Sequence, residues 1–225
     1  MCGRFALTLP LDAVAGWFDA VQVKAHLDHP RYNICPSQQV PVLVNYQQQR
    51  QLVDMRWGFI PRWYKTPGDG PMLINARSET IAQKPAFRAA SLARRCLIPA
   101  VGFYEWERQE DQKLPWYFRS QQGELMAFAG IWQAWQGAEG NRIVSCATIT
   151  AHSGEDMADI HHREPVVIQE ADFGLWLGEE GHGAAALMHA AAPGFYHRHR
   201  VGMAVNSGRS DTAELIEPLA ENKSE

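Results

Sequence analysis

The sequence predicts an α+β fold, a mainly antiparallel, barrel-like β-sheet with flanking short helices. Three observations lead there. Segments rich in aromatic and β-branched residues, broken by Gly, Pro or polar turns, outnumber the segments with helical spacing. The two kinds do not alternate regularly, as a parallel sheet built from βαβ units would require. Neither a GxGxxG fingerprint nor a P-loop is present, so the sequence signatures of dinucleotide and nucleoside triphosphate binding are missing.

Taken in order, residues Leu11 to Ala20 carry apolar side chains at helical spacing and predict a short amphipathic helix. "VPVLVNY" and "QLVDMRW" predict two strands of a hairpin across the polar "QQQR". "LINARSET" is extended, and "AFRAASLARR" after it is helical. Strands are then expected in "RCLIPAVGFYEWE", "LPWYFR", "LMAFAGIWQAW" and "NRIVSCATIT". A helical pair from Glu170 to Ala191 and a late strand, "RVGMAV", complete the set. No repeat, low-complexity tract or long linker divides the chain, which predicts a single domain over 1–218 and a flexible acidic tail over 219–225.

Composition limits the function. With 225 residues, 46% hydrophobic and 20% charged, the chain can bury a substantial core. No apolar stretch approaches the roughly 20 residues that span a bilayer, and no basic-then-apolar leader opens the chain. A cytoplasmic protein without a membrane partner is expected. Cys2, Cys35, Cys96 and Cys146 lack CxxC spacing, and no HxH or HExxH pattern occurs, so reduced thiols and no metal or other cofactor are expected. The net charge of -4 hides an uneven distribution: from Arg56 to Arg95 there are eight basic residues against two acidic ones, a local +6 that leaves -10 for the remainder. Trp57, Phe59, Trp63, Tyr64 and Phe87 fall in the same stretch. Cations beside rings suit single-stranded nucleic acid, although charge alone fits a solvated helix with scattered arginines equally well.

The candidate chemistry begins at Cys2. If Met1 is removed, Cys2 becomes a 1,2-aminothiol with an α-amine of reference pKa about 7.7–8 and a thiol near about 8.5. Such a group can attack an acyl carbon through sulfur, or condense with an aldehyde through nitrogen and close to a thiazolidine. Gly3 removes bulk beside it and Arg4 can recruit an anion. Taken by itself, Cys2 reads better as a buried small apolar residue. Glu105 alternates with Tyr104 and Trp106, and desolvation there would raise its pKa toward that of a neutral-pH acid; Glu107 shares its face and competes for the role. His161 and His162 offer a proton shuttle. Asn75 and Arg77 alternate on one face of an extended segment, an amide orienter beside a guanidinium suited to phosphate.

In this order, "MCGRFALT", "RYNICPSQQVPVL", "RWGFIPRW", "INARSETI", "RCLIPAVGFYEWE", "FAGIW", "DIHHREPVVI" and "VNSGRSDTAELIEP" resemble the SRAP family of SOS response-associated peptidase-like proteins, over nearly the whole chain. The resemblance implies a monomeric protein that binds single-stranded DNA containing abasic sites and shields the lesion as a thiazolidine DNA-protein crosslink. By motif position Cys2 is the nucleophile, Asn75 its orienter, Glu105 the acid that opens the sugar, and His161 the second acid-base group. Arg4, Arg77 and Arg163 would hold phosphates, and Pro36, Trp63 and Trp106 would pack against bases or wedge the strand. Weak abasic-site lyase activity through an imine, and autoproteolysis exposing Cys2, are also implied. The chain departs from the family pattern at Cys35, at Val101 and in "IHHREP", where His162 adjoins His161 and Glu164 would set a negative charge near a phosphate site. Two other readings remain open: an N-terminal-nucleophile cysteine amidohydrolase or glutamine amidotransferase, whose chains can also begin Met-Cys-Gly, and a module that binds single strands without covalent chemistry.

Overall fold

Where the expected hairpin joins its strands, Gln47 and Gln48 both take positive φ, 52° and 61°. That is the backbone of a two-residue turn whose twist matches the strands. Strand β4 (Gln39–Tyr46) therefore passes straight into β5 (Gln49–Trp57), and the four-residue polar connection shrinks to two residues. The computed structural model describes residues 2–24, 29–110, 112–123 and 125–219. Met1, and the tail expected over 219–225 beyond Leu219, lie outside the described residues.

Two sheets carry the fold. In the first, β14 (Tyr196–Arg200), β9 (Gln112–Ser120), β8 (Gly102–Gln109), β1 (Arg4–Leu7) and β3 (Arg31–Ile34) lie side by side in that order, all antiparallel. In the second, β12 (Arg163–Pro165), β11 (Arg142–His152), β10 (Met126–Gln136), β7 (Arg95–Ala100), β4, β5 and β2 (Val21–Lys24) follow one another. A parallel pairing of β11 with β5, Cys146 opposite Trp57, closes β5, β4, β7, β10 and β11 into a five-stranded barrel. Short strands β6 (Asn75–Arg77) and β13 (Val167–Ile168) add to β11 and β10. Helices α1 (Leu11–Trp17), α2 (Pro85–Ala93) and α3 (Phe173–Leu177) flank the sheets. The α+β, mainly antiparallel, barrel-like expectation thus describes the molecule, and among the described residues no helix is long and apolar enough to cross a membrane.

Three expectations need correction. Helix α1 stops at Trp17 instead of Ala20, because Asp19 turns left-handed at φ 50°. The helical pair over Glu170–Ala191 reduces to α3 and 3-10 turns at Glu170–Asp172 and Ala184–Leu187; Gly178 caps α3 at φ 80°, and Gly181 and Gly183 also take positive φ. The late strand is β14, "YHRHR", whereas "RVGMAV" gives the sheet only its first residue, Arg200, and then coils into a 3-10 turn at Met203–Asn206. Val201 and Val205 are needed elsewhere, in a small core with Ala6, Tyr104, Tyr117 and Leu215.

That small core covers one face of β1, β8 and β9, and the main core covers the other. Phe103 and Phe118 stack in the main core at 5.1 Å, and Phe5 meets Trp57 edge-on at 5.0 Å. Strand β8 is therefore buried on both sides over its first half, which fixes whatever its next residue carries. A C-terminal strap completes the cover: the Asp211 carboxylate accepts from the backbone N–H of Tyr32 (2.5 Å) and Asn33 (2.9 Å), and the Asn33 amide donates to Ser207 and Ser210 carbonyls.

Candidate functional site

Antiparallel pairing of β1 with β8 sets Arg4 opposite Tyr104 and Phe5 opposite Phe103. One step further the same register brings Gly3 opposite Glu105, so the start of the chain lies across the carboxyl. From the barrel side, β6 runs parallel to β11 with Asn75 opposite Thr148. There the Asn75 amide nitrogen donates to the Cys2 carbonyl at 2.9 Å. Its Oδ1 is buried without a hydrogen-bond partner among the described residues, an open acceptor beside Cys2. His161, in the turn before β12, presents Nδ1 3.8 Å from Glu105 Oε1. Cys2, Asn75, Glu105 and His161 thus converge although they are spread over most of the chain.

Their protonation follows from burial. Glu105 is 2% exposed, and desolvation pushes its carboxyl up to about 7. Burial pulls the His161 imidazole below its usual value. At neutral pH the Glu105–His161 pair therefore keeps its proton mainly on the carboxyl, an acid facing a neutral base. Burial, with the neighbouring Glu105 carboxylate second, also pushes the Cys2 thiol up, and Sγ points at the Arg4 carbonyl, 3.8 Å away. The resting nucleophile is a thiol and not a thiolate. Glu107 is separated from Glu105 by its partners: it accepts from Trp116 Nε1 (3.0 Å) and from Gln109 (2.7 Å), bonds that hold its carboxyl below the usual range.

The remaining expected residues fall into two groups. Arg77 lies exposed two residues along β6 from Asn75, Trp63 is 59% exposed, and Pro36 is half-buried next to the positive-φ Ser37. These three are accessible. Arg4 is half-buried, its guanidinium donating to Asn33 Oδ1 (3.0 Å) and the Val205 carbonyl (2.7 Å). Trp106 alternates with Glu105 and so belongs to the opposite face of β8, where its ring nitrogen donates to Asn206 at 2.7 Å. Arg163 is 2% exposed, with Nη1 paired to Glu79 at 2.8 Å and Nε without a partner among the described residues. Glu164 alternates with Arg163 on β12, and its buried carboxylate accepts from the backbone N–H of Gly154 (2.8 Å) and Ala191 (2.6 Å), tying down two loops.

Sequence reasoning missed Glu79 and Thr150, which hold Arg163, and the Asn33–Asp211 pair beneath Arg4. Glu79 stands two residues after Arg77 in "INARSETI", yet its partner is 84 residues away. Among the described residues no three or more His, Cys, Asp or Glu side chains are grouped to hold a metal. What the arrangement offers is an oriented chain start, a carboxylic acid that titrates near neutrality and a neutral imidazole, the components of acid-base chemistry on a carbonyl.

The model of the family described as SOS response associated peptidase (SRAP) matches residues 1–208. The abasic site processing protein YoqW of Bacillus subtilis (strain 168) is 36% identical over 222 residues, spanning 96% of this chain and 99% of its own. The abasic site processing protein HMCES of Rattus norvegicus is 29% identical over 279 residues, spanning 97% of this chain and 76% of its own. A crystal structure of a protein from Bacteroides thetaiotaomicron shares the fold with a TM-score of 0.88 at 20% identity, covering 97% of this chain and 100% of the other. With a family model that matches nearly all of its length and relatives of that similarity, this chain belongs to the SRAP family.

Proposed function

We propose that this chain processes abasic sites in single-stranded DNA by trapping them on Cys2 once Met1 has been removed. The observation that carries the reading is the convergence on Cys2 of an amide that holds its carbonyl, a carboxyl lifted to about 7 and a histidine 3.8 Å from that carboxyl. An abasic deoxyribose is a cyclic hemiacetal. Glu105, carrying its proton, protonates the ring oxygen while His161 takes the proton of the anomeric hydroxyl, and the ring opens to the aldehyde. The Cys2 α-amine adds to the aldehyde carbon, the carbinolamine loses water, and an imine forms. The thiol then adds across the C=N bond, its proton passes to nitrogen, and the thiazolidine closes with a net loss of one water.

A resting thiol supports this order, because the amine, with its lower reference pKa, attacks first and sulfur acts only on the imine. Direct attack of sulfur on an amide, as in the amidohydrolase reading, needs a thiolate that burial opposes. Exposed Arg77 and Trp63 supply a phosphate ligand and a stacking ring, and Pro36 a wedge beside them; Arg4 acts on the strand through the small surface its bonds leave open. Trp106 would meet a base from the face of β8 opposite Glu105, beside Asn206. Strand cleavage from the imine, by loss of the β-phosphate, competes weakly because thiol closure removes that imine. Autoproteolysis of the Met1–Cys2 bond is an alternative way to free the amine. All groups come from one chain, which supports action as a monomer.

The test is intact mass before and after incubation with an abasic single-stranded oligonucleotide. Protein lacking Met1 should gain the oligonucleotide less one water, as a heat-stable adduct, and Cys2→Ala should not retain it. No adduct on Cys2-started protein would sink the reading. Salt-sensitive DNA binding that survives Cys2→Ala without any adduct would leave a non-covalent module instead.

A further inference from the structure

His161 and His162 are neighbours in sequence, and on an extended strand their side chains would point to opposite faces. Here the two rings share one side. Their centres lie 4.4 Å apart and their planes are tilted by 32°, so one ring covers the other. A bend just ahead of β12 brings them together, and backbone bonds hold it on both sides. The His161 N–H donates to the Met157 carbonyl at 2.9 Å, and the His162 carbonyl accepts from the Ser153 N–H at 3.2 Å. His162 is exposed and His161 is half-buried beneath it.

The contact meets a need of the site. His161 Nδ1 lies 3.1 Å from the Arg163 N–H, 3.0 Å from the Arg163 carbonyl oxygen and 3.8 Å from Glu105 Oε1. Those contacts fix one corner of the ring. The torsion that sets the plane of an imidazole is broad and roughly two-fold, so a flat neighbour is what settles the plane. We propose that His162 is a positioning residue: its ring lies over the His161 imidazole, keeps it from turning away from Glu105 and screens it from water. The inference rests on the abasic-site reading for its consequence in catalysis. Around the pair, Glu105 and Arg108 of β8 face His161, Arg163 of β12 adds positive charge to both rings, and Arg77 of β6 does so for His162, as does the amino end of the chain for each. Lost hydration pulls both imidazoles below their usual value, and the positive charge adds to it. The stacked pair is therefore neutral at neutral pH, where repulsion between two cations would otherwise push the rings apart.

His162 is open to solvent and can be changed without emptying the core. His162→Phe keeps a flat ring and removes the titrating group, whereas His162→Ala removes both. Three readouts are needed: the ¹⁵N signals of the His161 ring across pH in the free protein, affinity for undamaged single-stranded DNA, and crosslinking rate at saturating abasic DNA. In His162→Ala the His161 ring regains water and should titrate at higher pH, and crosslinking should slow roughly 10- to 100-fold through misplacement. His162→Phe should hold the His161 titration close to wild type and recover most of the rate. The two variants should bind undamaged DNA alike. His161 signals identical to wild type in His162→Ala would overturn the proposal. A His162→Phe rate as low as that of His162→Ala would overturn it too, by making the His162 imidazole itself the working group. So would weaker binding of undamaged DNA by both variants with an unchanged rate at saturation, the mark of a phosphate contact. If wild-type protein forms no adduct, the abasic-site reading fails, while the ring signals still decide the positioning role.

Discussion

Glu105 has two opposing consequences that come from one cause. Burial makes it an acid at neutral pH, and burial also makes its ionisation costly to the fold. Its folded pKa, about 7, stands above the ordinary 4.5, so the native state binds a proton that the unfolded state has released between those values. Stability is intact below the lower value and is lost as pH rises through the upper one, a cost on the order of 3 kcal/mol at pH 8. Glu105→Gln should therefore melt higher than wild type at pH 8, with the gap closing toward pH 4; thermal unfolding at the two pH values checks the sign. The same substitution should slow crosslinking by about 10²- to 10⁴-fold. In the wild type the rate should fall on the acid side as the Cys2 amine takes up its proton, near about 7.7–8. It should fall on the alkaline side as Glu105 loses its own, near 7. Because the amine value lies above the carboxyl value, the productive form is a minority species and a narrow bell peaking near about 7.4 is expected; Glu105→Gln should erase the alkaline limb alone. Single-turnover rates across pH distinguish that from a uniform loss.

At the scale of the element, the strands that pair locally were legible and the placements that depend on distant partners were not. The hairpin of β4 and β5 is written in apolar, β-branched runs around a polar turn, and β9, β10 and β11 in aromatic and β-branched runs. In β14 the run of His and Arg residues conceals a strand held by β9, while the more β-like stretch after Arg200 is drawn off to bury Val201 and Val205. The site shows the same division. Asn75 and Glu105 could be singled out from local spacing, but the burial that fixes the Glu105 proton depends on β1, β9 and two cores. The surroundings of Arg163 and Glu164 were hidden for a related reason: alternation in β12 assigns them to different faces, and their partners are far away in sequence. For Glu164 the structural role gives a firm expectation. Its carboxylate satisfies two backbone donors, so Glu164→Ala should cost about 1–3 kcal/mol per lost charged hydrogen bond. Crosslinking by the molecules that remain folded should change little. Denaturant unfolding and an active-fraction-corrected rate measure the two separately. Trp63 is the converse: at 59% exposed it holds little of the fold. Trp63→Ala should leave the melting temperature near wild type and weaken single-strand binding by about 1–3 kcal/mol, read by fluorescence anisotropy with undamaged DNA.

Across the whole molecule, the two ends of the chain are held by each other. Arg4, two residues after Cys2, donates to the carbonyl of Val205 and to Asn33, and Asn33 is gripped in turn by the carbonyls of Ser207 and Ser210. Asp211 closes the loop by taking the N–H groups of Tyr32 and Asn33. The chain start that carries the nucleophile is thus clamped between Asn75 on the barrel side and the 205–211 strap on the other. This gives the strap a part in chemistry that its distance in sequence from Cys2 conceals. Removing the Asp211 carboxylate deletes two charge-assisted bonds at one point, worth about 1.5–3 kcal/mol each before the freed N–H groups find water. The expected result for Asp211→Ala is a lower melting temperature, protease cleavage within 205–211 before global unfolding, and a slower crosslinking rate as Arg4 loses its seat. Asp211→Asn keeps the shape and one acceptor oxygen, so it should recover part of all three. If the rate in Asp211→Ala matched wild type while the strap was demonstrably cut, the clamp would serve the fold alone, and Asn75 would be sufficient to hold the nucleophile in place.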